Sequence, residues 1–239
     1  MDSTFNLTPP FFELGPKAYA FGGQVLELAL FADELSARYE VPIIMTPQYV
    51  DIRPIAKATS NLLVFAQHID PVRVGRGNGS VLPEAVKDAG AVGTMLNHSE
   101  KPVSPKVLRE TIARADEVGL ASMVCAGNLG EVESVARMRP NIIIAESPEL
   151  IGAGSTAPED RPDIVGINRL VWAIDPGILM LHAAGISTGK DVYDIIAAGS
   201  QGSGSSSGIF KAEDPSTMLE QMIQAVRQGW DDAHQFGEG

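Results

Sequence analysis

Thiols, basic residues and long apolar runs are all scarce in this chain, and each shortage excludes something. A single cysteine, Cys125, has no partner for an internal disulfide and cannot build a cysteine-rich zinc module. Lys and Arg number 18 against 30 Asp and Glu, a formal charge of −12. Sequence-independent binding to nucleic acid needs basic surface that releases counterions, so that class is disfavoured. A small anion is not, because a few aimed N–H groups and one cation suffice to hold a phosphate. No apolar run reaches the length of a membrane span. The opening MDSTFNLTPP shows no basic segment leading into an apolar one, so no secretory leader is expected and the cytoplasm is the default location. No strand-linked GxGxxG opens the chain, which counts against a dinucleotide fold.

What is present is a regular alternation. Short apolar runs recur at FFELG (11–15), PIIMT (42–46), LLVFAQ (62–67), AVGTML (91–96), ASMVC (121–125), NIIIAE (141–146) and ILMLHA (178–183), with a weaker eighth at 203–207. They alternate little, as parallel strands covered on both faces do. Amphipathic segments with apolar residues three and four apart fall at 24–39, 104–119, 131–139, 162–175 and 189–199, and a helical tail follows the eighth run. In 239 residues this α/β pattern predicts a (β/α)8 barrel, one domain over 1–239, with a doubly wound open sheet as the alternative. The decapeptide GSQGSGSSSG (199–208) has the composition of a flexible linker, but too little chain follows it to make a second domain. In a barrel it must instead belong to the closing strand.

Barrel chemistry sits at the C-terminal ends of strands, and several of those ends are polar here. The first run leads to Lys17, the fourth to His98, Ser99 and Glu100, and the sixth to Glu146; the seventh and eighth lead into small residues. A carboxylate could abstract a proton α to a carbonyl, an imidazole could polarise the oxygens, and a lysine could stabilise the enediolate. Glycine-rich turns could offer N–H groups to a phosphate. Taken singly, each residue also has a plainer reading: a solvated lysine, a structural histidine, a capping glutamate, a Gly/Ser loop.

The segments PKAY (16–19), TPQYVDI (46–52), AQHIDP (66–71), LPEAVKDAGAVGTMLNHSE (82–100), MVCAGN (123–128), ESPELIGAG (146–154), AAGISTGKDV (183–192) and SSGIFKAEDP (206–215) run in one order over nearly the whole chain. In them the chain resembles the triosephosphate isomerase family, particularly its shorter archaeal type. NHSE and the ExPELIGxG loop are the most specific of these signals. The resemblance implies a (β/α)8 TIM barrel acting as an aldose–ketose isomerase on glyceraldehyde 3-phosphate and dihydroxyacetone phosphate, in glycolysis and gluconeogenesis, without metal or organic cofactor. It implies Lys17 as the catalytic lysine, His98 as the electrophile, Glu146 as the base and Glu100 as the carboxylate following the histidine. It also implies a lid at 148–154, and phosphate or substrate contacts from Gly152, Gly154, Gly185, Ser187, Ser207 and Gly208. The resemblance implies a homodimer or homotetramer, and 68–80, long and Gly-rich, is either an interaction element or an active-site loop.

Three departures stand out. Where the family has Asn-x-Lys this chain has Gly15-Pro16-Lys17, and a missing side chain there would open space for a longer, four-carbon sugar phosphate. Ser203 to Ser206 replace what is usually an apolar strand, either as a remodelled pocket or as a loosely ordered strand. His182 precedes Ala183 where small residues are usual, placing an imidazole at the barrel mouth or in its core. A non-catalytic paralogue that binds a phosphometabolite, and a lyase or epimerase using the same enediolate, are the competing readings.

Overall fold

Runs that bury both faces pair as parallel strands, and the helices between them supply the outer cover. In the computed structural model, which describes residues 5–146, 163–183 and 185–235, eight strands close a barrel in sequence order. They are β1 (Phe11–Leu14), β2 (Ile43–Met45), β3 (Leu63–Ala66), β4 (Gly93–Leu96), β5 (Ala121–Ala126), β6 (Ile142–Ala145), β7 (Leu179–His182) and β8 (Gly202–Ser205). The parallel β1–β8 pair, with Phe11 opposite Gly202 and Glu13 opposite Gly204, closes the ring. The open-sheet alternative is therefore excluded.

The helices follow their capping signals. They are α1 (Gly22–Tyr39), α2 (Tyr49–Ala58), α3 (Pro83–Asp88), α4 (Pro105–Val118), α5 (Leu129–Ala136), α6 (Ile164–Ile174), α7 (Gly189–Ala197), the single turn α8 (Ser207–Phe210) and α9 (Pro215–Gln235). Ser104 caps α4 by accepting from the Val107 N–H, Pro105 opens it, and Gly119 ends it in a left-handed conformation at φ 72°. Thr188 and Asp191 form a reciprocal capping box on α7. The helix expected over 131–139 starts and stops earlier, because Asn128 caps it and Arg139 takes a positive φ of 57°. The barrel pattern implies helices after β2 and β3, but the sequence does not delimit α2 and α3: α2 carries Pro54 in its interior and α3 is only 6 residues long. Among the described residues, no helix is long and apolar enough to cross a membrane.

Alternate strand residues separate into two cores, as closure of a sheet requires. Phe12, Leu14, Ile43, Met45, Val64 and Ala66 face the helices, together with buried residues of α1, α4, α7 and α9. Phe11, Ile44, Phe65, Met95, Met123, Cys125, Ile142, Ile144 and Leu181 fill the barrel interior. Leu7 and Phe5 close its lower end, with the Phe5 ring edge-on to Phe65 at a centroid separation of 5.8 Å.

This layering explains the composition of β8. A Cβ at Gly202 would stand 2.6 Å from the Phe11 ring, and one at Gly93 would stand 2.4 Å from Phe65. Two phenylalanines fit inside the barrel because the facing positions carry no side chain. The serines have partners too: Ser203 Oγ donates to the His182 carbonyl and Ser205 Oγ to the Ile186 carbonyl, each at 3.2 Å. All four β8 residues are buried. GSQGSGSSSG is thus neither linker nor loose strand; the strand is Gly202–Ser205, shifted from the expected 203–207, and Ser207 already begins α8.

Candidate active site

The upper ends of the strands surround a cavity of about 330 Å³. Lys17, His98, Glu100, Glu146, Gly185, Ser187 and Ser207 all line it, so most of the residues singled out in the sequence converge on one space. Gly208 does not line it; it packs behind, where a Cβ would meet Ser205 Oγ at 2.7 Å and the Ile186 carbonyl at 3.0 Å. Gly152, Gly154 and the 148–154 segment lie outside the described residues.

Lys17 follows β1 with a positive φ of 46°, a conformation that non-glycine residues rarely adopt. Two glutamines at neighbouring strand ends hold it there. Gln48 Nε2 donates to the Lys17 carbonyl at 2.6 Å and Gln67 Nε2 donates to the same oxygen at 2.9 Å. The ammonium reaches across to Glu100 Oε1 at 2.7 Å. That contact holds the Glu100 carboxyl below the usual carboxylate range. Gln48 and Gln67 were missed as site residues, although Gln67 ends one apolar run and Gln48 stands two positions past another, where polar side chains point to the barrel mouth.

His98 sits one residue beyond Asn97, another positive-φ position at 58°. The Glu100 backbone N–H donates to His98 Nδ1 at 3.0 Å. An Nδ1 that accepts carries no proton, so the neutral ring places its proton on Nε2. Burial first, and the Lys17 charge second, lower the His98 pKa from the ordinary value and favour that neutral ring. Glu146 follows β6, anchored by its N–H to the Ala126 carbonyl at 3.0 Å. Burial raises its pKa, opposed by the Lys17 charge and a hydrogen bond with Cys125. Its Oε1 is sealed from solvent and has no hydrogen-bond partner among the described residues. An unsatisfied buried acceptor facing a cavity is an unusual expense in a fold and marks a group with another task.

After β7, the Ser187 and Thr188 N–H groups both donate to the Asp191 carboxylate, at 3.1 and 2.9 Å. Ser187 lines the cavity with Gly185, Ser205, Ser206 and Ser207.

The space expected at Gly15 is not open. A Cβ there would lie 2.7 Å from Ser206 Oγ and 2.9 Å from Glu13 Oε1. The room is already filled, by a serine of the closing strand's end and by a carboxyl that sequence reading did not single out. Glu13 is buried, lines the cavity floor, and accepts from Thr46 Oγ1 at 2.8 Å.

His182 lies in the core and not at the mouth. It is absent from the cavity wall and buried, with Nε2 2.9 Å from Asn168 Oδ1 of α6. Asn168 uses its amide on the Gly199 carbonyl, so its oxygen accepts and His182 Nε2 carries the proton. A second proton would have to enter at Nδ1, which has no partner among the described residues. Burial accordingly pushes the His182 pKa down to about 4. Below pH 6.5 the unfolded chain takes up a proton that the folded chain refuses until about pH 4, so stability falls as pH drops through that window. The contribution reaches about 3 kcal/mol. In an NMR titration the His182 ring resonances are expected to stay unshifted at pH 6 and to move only as pH approaches 4; a midpoint near 6.5 would refute the assignment.

The sequence profile of the family described as triosephosphate isomerase matches residues 17–225. A triosephosphate isomerase of Methanobacterium bryantii is 39% identical over 86% of this chain and 91% of its own length. One of Methanosarcina barkeri is 37% identical over 91% of this chain and 99% of its own length. One of Sulfurisphaera tokodaii is 36% identical over 91% and 95%. With the closed barrel and a profile match over most of its length, the chain belongs to the triosephosphate isomerase family.

Proposed function

We propose that this protein interconverts glyceraldehyde 3-phosphate and dihydroxyacetone phosphate through an enediolate. The observation that carries this reading is the convergence of Lys17, His98 and Glu146 on one cavity at the upper end of the barrel. Family membership supports the substrate pair, and the site chemistry supports the step.

In that step the Glu146 carboxylate takes a proton from the hydroxyl-bearing carbon next to the carbonyl. The electron pair of the broken C–H bond forms the enediolate double bond, and the former carbonyl π pair moves to oxygen. His98 donates its Nε2–H to that oxygen, and the Lys17 ammonium offsets the charge. Glu146 then returns its proton to the former carbonyl carbon while His98 regains a proton from the original hydroxyl, whose oxygen becomes the new carbonyl, so atoms and electrons balance. Glu100 keeps the ammonium directed into the cavity through their 2.7 Å contact. We assign the wall built from Gly185, Ser187, Ser205 and Ser207 to the phosphate, with Gly208 packed behind it and with Gly152 and Gly154 on the strength of the sequence resemblance alone.

Incubating dihydroxyacetone phosphate with the protein in deuterated water tests the reading. Deuterium on carbon, seen by proton NMR together with glyceraldehyde 3-phosphate, is the expected result. Phosphosugar binding without exchange would establish the non-catalytic alternative, and exchange with a different product would establish a lyase or epimerase.

The segment 68–80 supports a homo-oligomer. Asp70 pins its base by accepting from the Val81 N–H at 2.7 Å, and Val74 at its tip is 75% exposed. A monomer by light scattering at micromolar concentration would overturn that assembly. We place the reaction in the cytoplasm, where the glycolytic role of the family puts its substrates.

A further inference from the structure

Glu13 is a buried carboxyl in the middle of a strand, and the chain has made room for it. The residue alternates with Phe11 on the interior face of β1, so its side chain enters the barrel above the phenylalanine layer. Both neighbouring positions that would crowd it are glycine. A Cβ at Gly204 would lie 3.0 Å from Glu13 Cβ and 3.1 Å from Oε2, and one at Gly15 would lie 2.9 Å from Oε1 and 3.2 Å from Oε2. Its hydrogen bond among the described residues comes from Thr46 Oγ1. A carboxyl has capacity for several more. Apolar interior residues would fill the same volume without the desolvation cost that burial imposes on this one.

We propose that Glu13 is a specificity-determining residue of this site, its carboxyl hydrogen-bonding a hydroxyl group of the bound sugar phosphate from the floor of the cavity. The assignment rests on reading the cavity as an isomerase site. Two glycines hold the carboxyl where an asparagine on Gly15 would otherwise stand, so the hydrogen-bonding group arrives from one strand position earlier and from deeper in the barrel. Gly15 and Glu13 then form one change and not two.

The protonation state of Glu13 matters to this contact. Burial pushes its pKa up to about 7; the Thr46 hydrogen bond opposes this, the Glu146 charge adds to it, and Lys17 draws it down. Cys125 on β5 is held neutral by burial, and the facing β8 residues Gly204, Ser205 and Ser206 carry no charge. His98 and Glu100 line the same cavity. Protonated Glu13 is neutral and can donate to a sugar oxygen. Ionised Glu13 places a second negative charge beside Glu146 and the developing enediolate. Activity therefore falls as pH rises through its titration.

The test is the pH dependence of kcat/KM for glyceraldehyde 3-phosphate in the wild type, Glu13→Gln and Glu13→Ala. Glutamine imitates the protonated carboxyl, so that variant is expected to keep activity near pH 6 and to lose the decline above pH 7. Alanine removes the hydrogen bond, and kcat/KM is expected to fall about tenfold, mainly through KM. If Glu13→Ala does not fold, the Glu13→Gln profile decides alone, because a decline identical to the wild type's overturns the proposal. A folded Glu13→Ala variant with unchanged kcat/KM overturns it too. A wild type that turns over no triose phosphate overturns the isomerase reading itself, whereas unchanged variants of an active wild type overturn only the role of Glu13.

Discussion

Glu146→Gln is expected to lower kcat by roughly 10³-fold while leaving KM for glyceraldehyde 3-phosphate within about threefold. The loss corresponds to about 4 kcal/mol of barrier. Glutamine matches glutamate in shape, so the wall of the cavity and the N–H contact to the Ala126 carbonyl remain. What disappears is the acceptor that can bind a proton. Oε1 has no hydrogen-bond partner to lose among the described residues, so the substitution orphans nothing there and the fold is expected to keep its stability. The wild-type profile should report the same group from the other side. With its pKa raised by burial, Glu146 is protonated and idle at a pH where an ordinary carboxylate would still be ionised, and the acid limb of kcat/KM moves upward accordingly. Steady-state kinetics of the two proteins check both points. Retention of turnover within tenfold on every accepted substrate would remove Glu146 from the proposed step.

The largest effect on stability is expected at Phe11, where replacement by alanine should cost about 3–5 kcal/mol. Phe11 is fully buried inside the barrel and stands opposite Gly202 at the seam where the first and last strands meet. Native domains have about 5–15 kcal/mol in total, so the variant is expected to be folded but marginal. Gly202→Ala fails for the opposite reason, since its Cβ would lie 2.6 Å from the ring carbons of Phe11. Overpacking of this kind costs about 1–3 kcal/mol. The two faults share one volume: the atoms that the new Cβ strikes are those that Phe11→Ala removes. The double variant should therefore be more stable than the sum of the singles predicts, with a coupling of about 0.5–3 kcal/mol. Urea unfolding of the four proteins measures it. Strict additivity would show that the ring and the glycine do not share the packing described here.

Much of this was legible before any tertiary contact was known, and the reasons are local. Parallel strands covered on both faces read as short continuous apolar runs, so seven of the eight were visible in composition. Caps such as Ser104 and Thr188 act within three residues of themselves, so helix starts could be read directly. Lys17, His98 and Glu146 showed because polar residues just past apolar runs fall at the barrel mouth. The helices α2 and α3 were harder: α2 carries an internal proline that interrupts its pattern, and α3 is too short to display a period.

The sequence by itself determined the α/β alternation, the closed barrel as its natural outcome, and a cation, an imidazole and a carboxylate at strand ends. Only the tertiary structure decided what β8 is, where His182 lies and where Glu13 is buried. Each of those depends on a partner far away in the chain: Phe11 and Glu13 on Gly202 and Gly204 across the seam, His182 on Asn168 of α6. Interior packing is a matter of complementary volumes, and a volume has meaning only beside its neighbour. A run of glycine and serine looks like a tether when read alone. Set against two large side chains of β1, its glycines at 202 and 204 leave the room in which the ring closes around them.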